Sequence, residues 1–187
     1  IVPGNGCDDV RQANWYAWAE VRLQQDGIFS SVQLESMPDP HRARRAIWLP
    51  FILGSLKADH HTVVIGHSSG AVAALRLLEE HKLHGAVLVS ACHSDLGEAS
   101  EAQAGYYPPS GGPWQWERIK ANSGGNIILL HSDNDPFIPL AEAQYVSDQL
   151  GPPCELRVQP RKSHFFEPCE SIINAAHELA QRPAWAT

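Results

Sequence analysis

The sequence predicts an α/β fold: a three-layer sandwich with about six parallel strands and no large cap domain. Three observations predict it. Apolar runs of strand length alternate with helix-length segments from end to end, the pattern of a parallel sheet covered on both faces and joined by right-handed crossovers. The 187 residues, 43% of them hydrophobic, suffice for one sizeable core and leave little room for a second, so residues 1–187 are read as a single domain. Finally, Val63-Val64-Ile65 runs straight into Gly66-His67-Ser68-Ser69-Gly70 and then into helix formers, a strand, a tight turn and a helix in succession.

The elements follow in order. Residues 1–3 are a strand cut short by the start of the chain, and residues 15–23 are an amphipathic helix. Residues 31–35 form the second strand. Asp39-Pro40 supplies an N-cap and a first-turn proline for a helix over 41–49, with Pro50 marking a break or kink. Strands are expected at 62–66, 85–91, 126–131 and 155–159, and helices at 71–81, 142–150 and 170–181. One segment, residues 96–120, breaks the rhythm. It is too long for a plain connection and carries Tyr106, Tyr107, Trp114 and Trp116. Ligands in such sheets bind outside the carboxyl ends of the strands, so this excursion is either a pocket wall or a surface loop whose tryptophans close the core.

Charge and composition exclude several classes. The net charge is −7, and the largest basic cluster is Arg42-Ala43-Arg44-Arg45, which disfavours nucleic acid and anionic membranes as partners. No apolar run approaches the roughly 20 residues of a membrane span. Cys7, Cys92, Cys154 and Cys169 are scattered without a C-x-x-C pair, as free thiols in a reducing compartment would be, and a cytoplasmic location is expected. The chain opens inside a predicted strand and its single methionine is Met37, so the natural N-terminus, with any targeting segment, is read as missing.

Gly66-x-Ser68-x-Gly70 has the spacing of a nucleophile elbow, and only Ser68 has a glycine two residues to either side. Glycine and serine are common turn residues, so the elbow needs a base and an orienting carboxylate to acquire meaning. The loop after the fifth strand reads His131-Ser132-Asp133-Asn134-Asp135-Pro136, and that after the sixth reads Arg161-Lys162-Ser163-His164-Phe165. The order Ser68, Asp, His164 is that of an α/β-hydrolase. Between the two acids, Asp135 is favoured, because Pro136 restricts it to extended geometry. Developing negative charge would be received by the backbone N–H groups of Ser69 and, from the first loop, Asn5. His67 is read as a packing or pocket residue and His131 as structural. His60, His61, His81 and His84 are read as solvated, and neither a metal nor a cofactor is expected. As a dinucleotide loop Gly4-Asn5-Gly6 fails, lacking a third glycine and followed by Asp8-Asp9.

With these residues assembled, the chain resembles, over essentially its whole length, the small serine hydrolases related to retinoblastoma-binding protein 9. The stretches that carry the resemblance are VPGNG (2–6), WY.W (15–18), MPDP (37–40), IWLPF (47–51), IGHSSGA (65–71), VLVSA (87–91), SDLG (94–97), PWQWE.IKAN (113–122), DPF.P (135–139) and His164-Phe165. The resemblance implies Ser68, Asp135 and His164 as the triad. It also implies cofactor-free cleavage of small ester or amide substrates, aminoacyl compounds among them. It does not carry over retinoblastoma-protein binding, since the place of the Leu-x-Cys-x-Glu peptide reads Leu56-Lys57-Ala58-Asp59-His60. The alternative reading is a catalytically idle interaction module on the same fold. An Asp and a His on separate loops facing Ser68 argue against it.

Overall fold

The computed structural model describes residues 1–183. Its sheet has four parallel strands in chain order: β1 (Val63–His67), β2 (Gly85–Val89), β3 (Ile127–Ser132) and β4 (Glu155–Gln159). Seven helices accompany them: α1 (Tyr16–Gln25), α2 (Arg45–Gly54), α3 (Ser69–Leu78), α4 (Ala99–Ala104), α5 (Trp116–Ser123), α6 (Leu140–Leu150) and α7 (Glu170–Gln181). Every residue of β2 and β3 is buried, as expected of central strands, while β4 is partly exposed along its length. The two-residue period of the strands divides their side chains between two layers. Ile65, Val87, Val89, Ile128 and Leu130 pack with α1 and α7. Val64, Ala86, Leu88, Ile127 and Leu129 pack with α2, α3 and α6 on the other face. Among the described residues no helix is long and apolar enough to cross a membrane.

The sheet therefore has four strands where about six were expected. Residues 1–3 contribute a single bridge, Val2 to Gly66, in which Val2 N–H donates to Ile65 O at 2.8 Å and Val2 O accepts from His67 N–H at 3.0 Å. Pro3 has no N–H with which to extend the ladder. Residues 31–35 run beside Ile1, whose amino group donates to Gln33 O, but the Leu34 carbonyl is taken by the Arg11 guanidinium and no ladder forms.

The second helix also differs. Residues 39–44 make a turn, with Asp39 and Ala43 in the left-handed region, and the Asp39 carboxylate binds the Arg44 side chain at 2.6 Å. The helix starts at Arg45 and continues through Pro50. The missing N–H bond is offset by burial of Trp48 and Ile52, with Trp48 Nε1–H donating to Pro38 O at 2.8 Å.

Residues 96–120 contain α4 and the start of α5, and one ion pair on α3 organises them. The Arg76 side chain is buried. Its guanidinium donates to Glu79 at 2.6 Å, to Tyr106 O at 2.7 Å and to Gly112 O at 3.0 Å, and lies 3.7 Å from the Trp114 ring centroid. Glu79 in turn accepts from Gln115 N–H. Trp114 and Trp116 pack on the core, while Leu96, Glu101 and Tyr107 reach the cleft beside Ser68, so the excursion serves as both core closure and pocket wall.

Removing one partner of a buried, hydrogen-bonded pair costs about 3–5 kcal/mol, and here Glu79 would keep only Arg45, 3.8 Å away, and the Gln115 N–H. Arg76→Met is therefore expected to lower unfolding free energy by that amount in urea titration at pH 7. A loss under about 1 kcal/mol, the range of an exposed pair, would contradict the pinning role.

Candidate active site

The elbow follows from two close approaches. A Cβ on Gly66 would stand 2.6 Å from the carbonyl carbon of Gly70, and one on Gly70 would stand 2.6 Å from Pro3 O. Two glycines therefore let β1, α3 and the first loop converge. Between them Ser68 has φ +53° and ψ −119°, a conformation that a side chain rarely adopts. It is held by Ser68 N–H donating to Val89 O at 2.9 Å, and by Ser68 O accepting from Ala71 and Val72. The Ser68 side chain is half-buried in the cleft wall.

The two loops at the ends of β3 and β4 are tied residue to residue. Asp133 accepts from Arg161 N–H at 2.8 Å, Ser132 Oγ from Lys162 N–H at 2.8 Å, and Asn134 Oδ1 from Ser163 N–H at 2.9 Å. Asp135 Oδ2 meets His164 Nδ1 at 2.8 Å. Asp133 is thus occupied with loop geometry, whereas Asp135 faces the imidazole. The other Asp135 oxygen accepts from the N–H groups of Phe137 and Ile138, and Ser90 Oγ donates to Oδ2 at 2.8 Å. Burial alone would raise the Asp135 carboxyl. The His164 hydrogen bond and charge, with the two N–H groups, outweigh it and hold the group at about 2. A carboxylate at Nδ1 fixes the proton there and leaves the Nε2 lone pair for the cleft. No hydrogen bond joins Ser68 Oγ to His164 Nε2 among the described residues, although both line the same cleft.

In the first loop, Gly4 N–H donates to Tyr16 Oη and Gly6 N–H to Pro40 O, while Asn5 between them lines the cleft and its side-chain Nδ2 donates to Glu101 at 3.0 Å. Ser69 is the first residue of α3, where N–H groups and the helix dipole favour negative charge. The structure thus brings Asn5, Ser68, Ser69 and His164 to one cleft of about 700 Å³ at the carboxyl ends of the strands, with the Asp135 side chain buried behind the His164 imidazole. A separate groove of about 450 Å³ beside Ile1 and the edge of β1 contains none of them.

The remaining walls set the chemistry. Phe137 and Phe166 are exposed and flank the His164 ring at 5.1 and 5.7 Å between centroids. Glu98 and Glu101 line the opposite side, with no lysine or arginine among the described lining residues. Burial raises the Glu101 carboxyl against hydrogen bonds from Tyr107 and Asn5. Cys7 and Cys92 also face the cleft, but burial raises both thiols, Cys92 to about 12, which removes them as thiolate nucleophiles at neutral pH. Among the described residues no group of three or more His, Cys, Asp or Glu converges to hold a metal.

Sequence reasoning missed Ser90 and Glu101. Ser90 ends the VLVSA strand next to β3, so strand order would have placed it beside the acid. Glu101 carries no local signal. His131, buried, donates Nε2–H to Ile138 O at 2.9 Å and closes the acid loop. His84 is half-buried against Leu179 O rather than solvated. His60 and His61 occupy a turn, with rings 3.9 Å apart.

Two buried histidines tie stability to pH. Burial, then the charge of His164, pushes His67 down to about 3, and burial also lowers His131. Their folded values lie below the unfolded value of 6.5, so the unfolded chain binds the extra protons and stability falls as pH drops below 6.5. Asp135 acts lower, its contribution present above 3.8 and lost as pH falls through about 2. Glu101, raised, opposes the trend weakly. Each histidine contributes up to about 1.4 kcal/mol per pH unit, and 1 kcal/mol is about 2–4 °C for a chain of this size. The melting temperature followed by circular dichroism should fall by several degrees between pH 6.5 and 5; a flat profile would contradict buried neutral histidines.

The chain is 48% identical over 150 residues to the serine hydrolase RBBP9 of Rattus norvegicus, a match covering 80% of this chain and 78% of that protein. Among solved structures, the ydeN gene product of B. subtilis superposes with a TM-score of 0.81 at 21% identity over 97% of each chain. A ydeN-like hydrolase from Pectobacterium atrosepticum gives 0.65 at 21% identity, over 96% of this chain and 88% of its own. These two likenesses establish the shared fold. The serine hydrolase family matches residues 1–167, a span that includes the elbow and both loops, and the chain belongs to that family.

Proposed function

We propose that this chain cleaves small esters or amides through an acyl-enzyme, with Ser68 as nucleophile, His164 as general base and Asp135 as its orienting carboxylate. The observation that carries this reading is the 2.8 Å contact between Asp135 Oδ2 and His164 Nδ1 in the cleft that Ser68 enters from its elbow. That contact supports the tautomer a base requires. Nε2 takes the Ser68 proton as Oγ attacks the carbonyl carbon, and Asp135 stabilises the resulting imidazolium. The negative charge moving onto the carbonyl oxygen is received by the N–H groups of Asn5 and Ser69. The proton on Nε2 passes to the leaving alkoxide or amine. Water, deprotonated by His164, then attacks the acyl carbon and returns Ser68 to its hydroxyl form.

The walls favour some substrates over others. A cleft with Glu98 and Glu101 and no facing cation disfavours anionic acyl groups and suits neutral or amine-bearing ones, including aminoacyl compounds. Phe137 and Phe166 offer an apolar rest for the group beside His164. The excursion over residues 96–120 is the one wall added to the sheet edge, so short acyl chains fit better than long ones.

Fluorophosphonate labelling tests the reading. Ser68→Ala is expected to abolish labelling, while Ser69→Ala retains a good part of it, because Ser69 contributes a backbone N–H. Labelling that survives Ser68→Ala and vanishes with Ser69→Ala would overturn the assignment.

A further inference from the structure

The WY.W stretch is one of the distinctive runs of this sequence, and the reaction above leaves it without a role. Trp15 and Tyr16 are fully buried. Tyr16 Oη accepts from Gly4 N–H at 3.0 Å and from Asn14 Nδ2 at 3.0 Å, and lies 2.7 Å from His67 Nδ1. The other ring nitrogen of His67, Nε2, lies 2.8 Å from the main-chain oxygen of His164. A carbonyl oxygen only accepts, so Nε2 carries the proton. In a neutral imidazole Nδ1 is then an acceptor and receives the Tyr16 O–H. Every direction in the chain is fixed: Gly4 N–H donates to Tyr16, Tyr16 to His67, and His67 to the backbone of His164.

This chain runs from the loop that bears Asn5 to the loop that bears His164, passing through the residue before Ser68. The first loop also lies against the nucleophile, since a Cβ on Gly4 would stand 3.3 Å from Ser68 Cβ. We propose that Tyr16 and His67 are positioning residues, which hold the oxyanion-receiving loop and the base-bearing loop at a fixed spacing around Ser68. The inference rests on the roles proposed above for Asn5 and His164. The neutrality of His67 matters to it. Its ring centroid is 4.9 Å from that of His164, and a second charge there would oppose the imidazolium that forms during attack. Burial and the charge of His164 keep His67 neutral, with the nearby Asp135 acting the other way. Tyr16, raised by burial to about 12, keeps its proton and remains a donor.

The test is kcat and KM on a chromogenic short-chain ester, together with the affinity of an alkyl boronic acid, whose tetrahedral adduct occupies the oxyanion position. Tyr16→Phe keeps the ring and removes the acceptor of Gly4 N–H and the donor to His67. It should lower kcat about 10- to 100-fold, somewhat less than loss of an oxyanion donor itself, with KM within about twofold and boronic acid affinity falling in step with kcat. A kcat within twofold of the parent, or a loss confined to KM, would overturn the proposal. His67→Gln retains a donor and an acceptor, and His67→Leu retains neither. The first should keep at least about tenfold more kcat than the second, and equal losses overturn the proposal even where Tyr16→Phe does not fold. Parent turnover that survives Ser68→Ala would sink the hydrolase reading itself; a Ser68-dependent parent indifferent to Tyr16 and His67 sinks this inference alone.

Discussion

The backbone of Ser68, at φ +53° and ψ −119°, is the constraint on which the rest of the molecule depends. A non-glycine residue held there is strained by about 1–3 kcal/mol, and it persists only where its surroundings leave no alternative. Those surroundings are the sheet and the helix it joins. β1 pairs with β2 over five positions, and Val89 O receives Ser68 N–H. α3, buried at every residue, locks the exit from the turn. Gly66 lets β1 and the start of α3 approach one another, and Gly70 lets α3 approach Val2 and Pro3. The strain is therefore offset by core packing far larger than itself.

The same logic builds the other half of the cleft. The loop that bears His164 contains Arg161, Ser163 and Phe165 with positive φ, an alternation that nothing local favours. It is imposed from outside by Ser132, Asp133 and Asn134, whose side chains receive three of its N–H groups. Buried Phe165 anchors the loop to the α7 layer. On the opposite wall, the Arg76–Glu79 pair and Glu142, which accepts from His93 and Ser94, hold the chain from Ser90 to Gln115 over the sheet edge. Rigid elements supply the frame and side chains stitch the loops to it, which keeps the cleft geometry independent of loop flexibility.

Much of this was legible in the sequence where the signal is local. The strands that became β1 to β3 are short apolar runs with clear boundaries, β4 alternates polar and apolar residues, and the elbow announces itself by glycine spacing. The outer strands failed because their pairing depends on neighbours. Pro3 ends one ladder, and Arg11 takes the acceptor that would have begun another. Pro50 signals a break or kink in the sequence, and burial of Trp48 and Ile52 carries α2 through it. The excursion hid α4 and α5 because its organiser, Arg76, lies on a helix 30 residues earlier than Tyr106. Ser90, Glu101 and the Tyr16–His67 chain are contacts across 45, 96 and 51 residues of sequence, and no spacing rule reaches so far.

The central claim is that the elbow, the base and two backbone N–H groups converge on one reacting carbonyl. A crystal structure of the protein inactivated by a small alkyl fluorophosphonate tests it most directly, because the phosphonyl adduct stands in for the tetrahedral intermediate. The account predicts phosphorus bonded to Ser68 Oγ, with its charged oxygen about 2.7–3.1 Å from the N–H groups of Asn5 and Ser69 and His164 Nε2 within hydrogen-bond reach of the Ser68 oxygen. An adduct on another residue, or a phosphonyl oxygen turned away from Asn5 and Ser69, would contradict it.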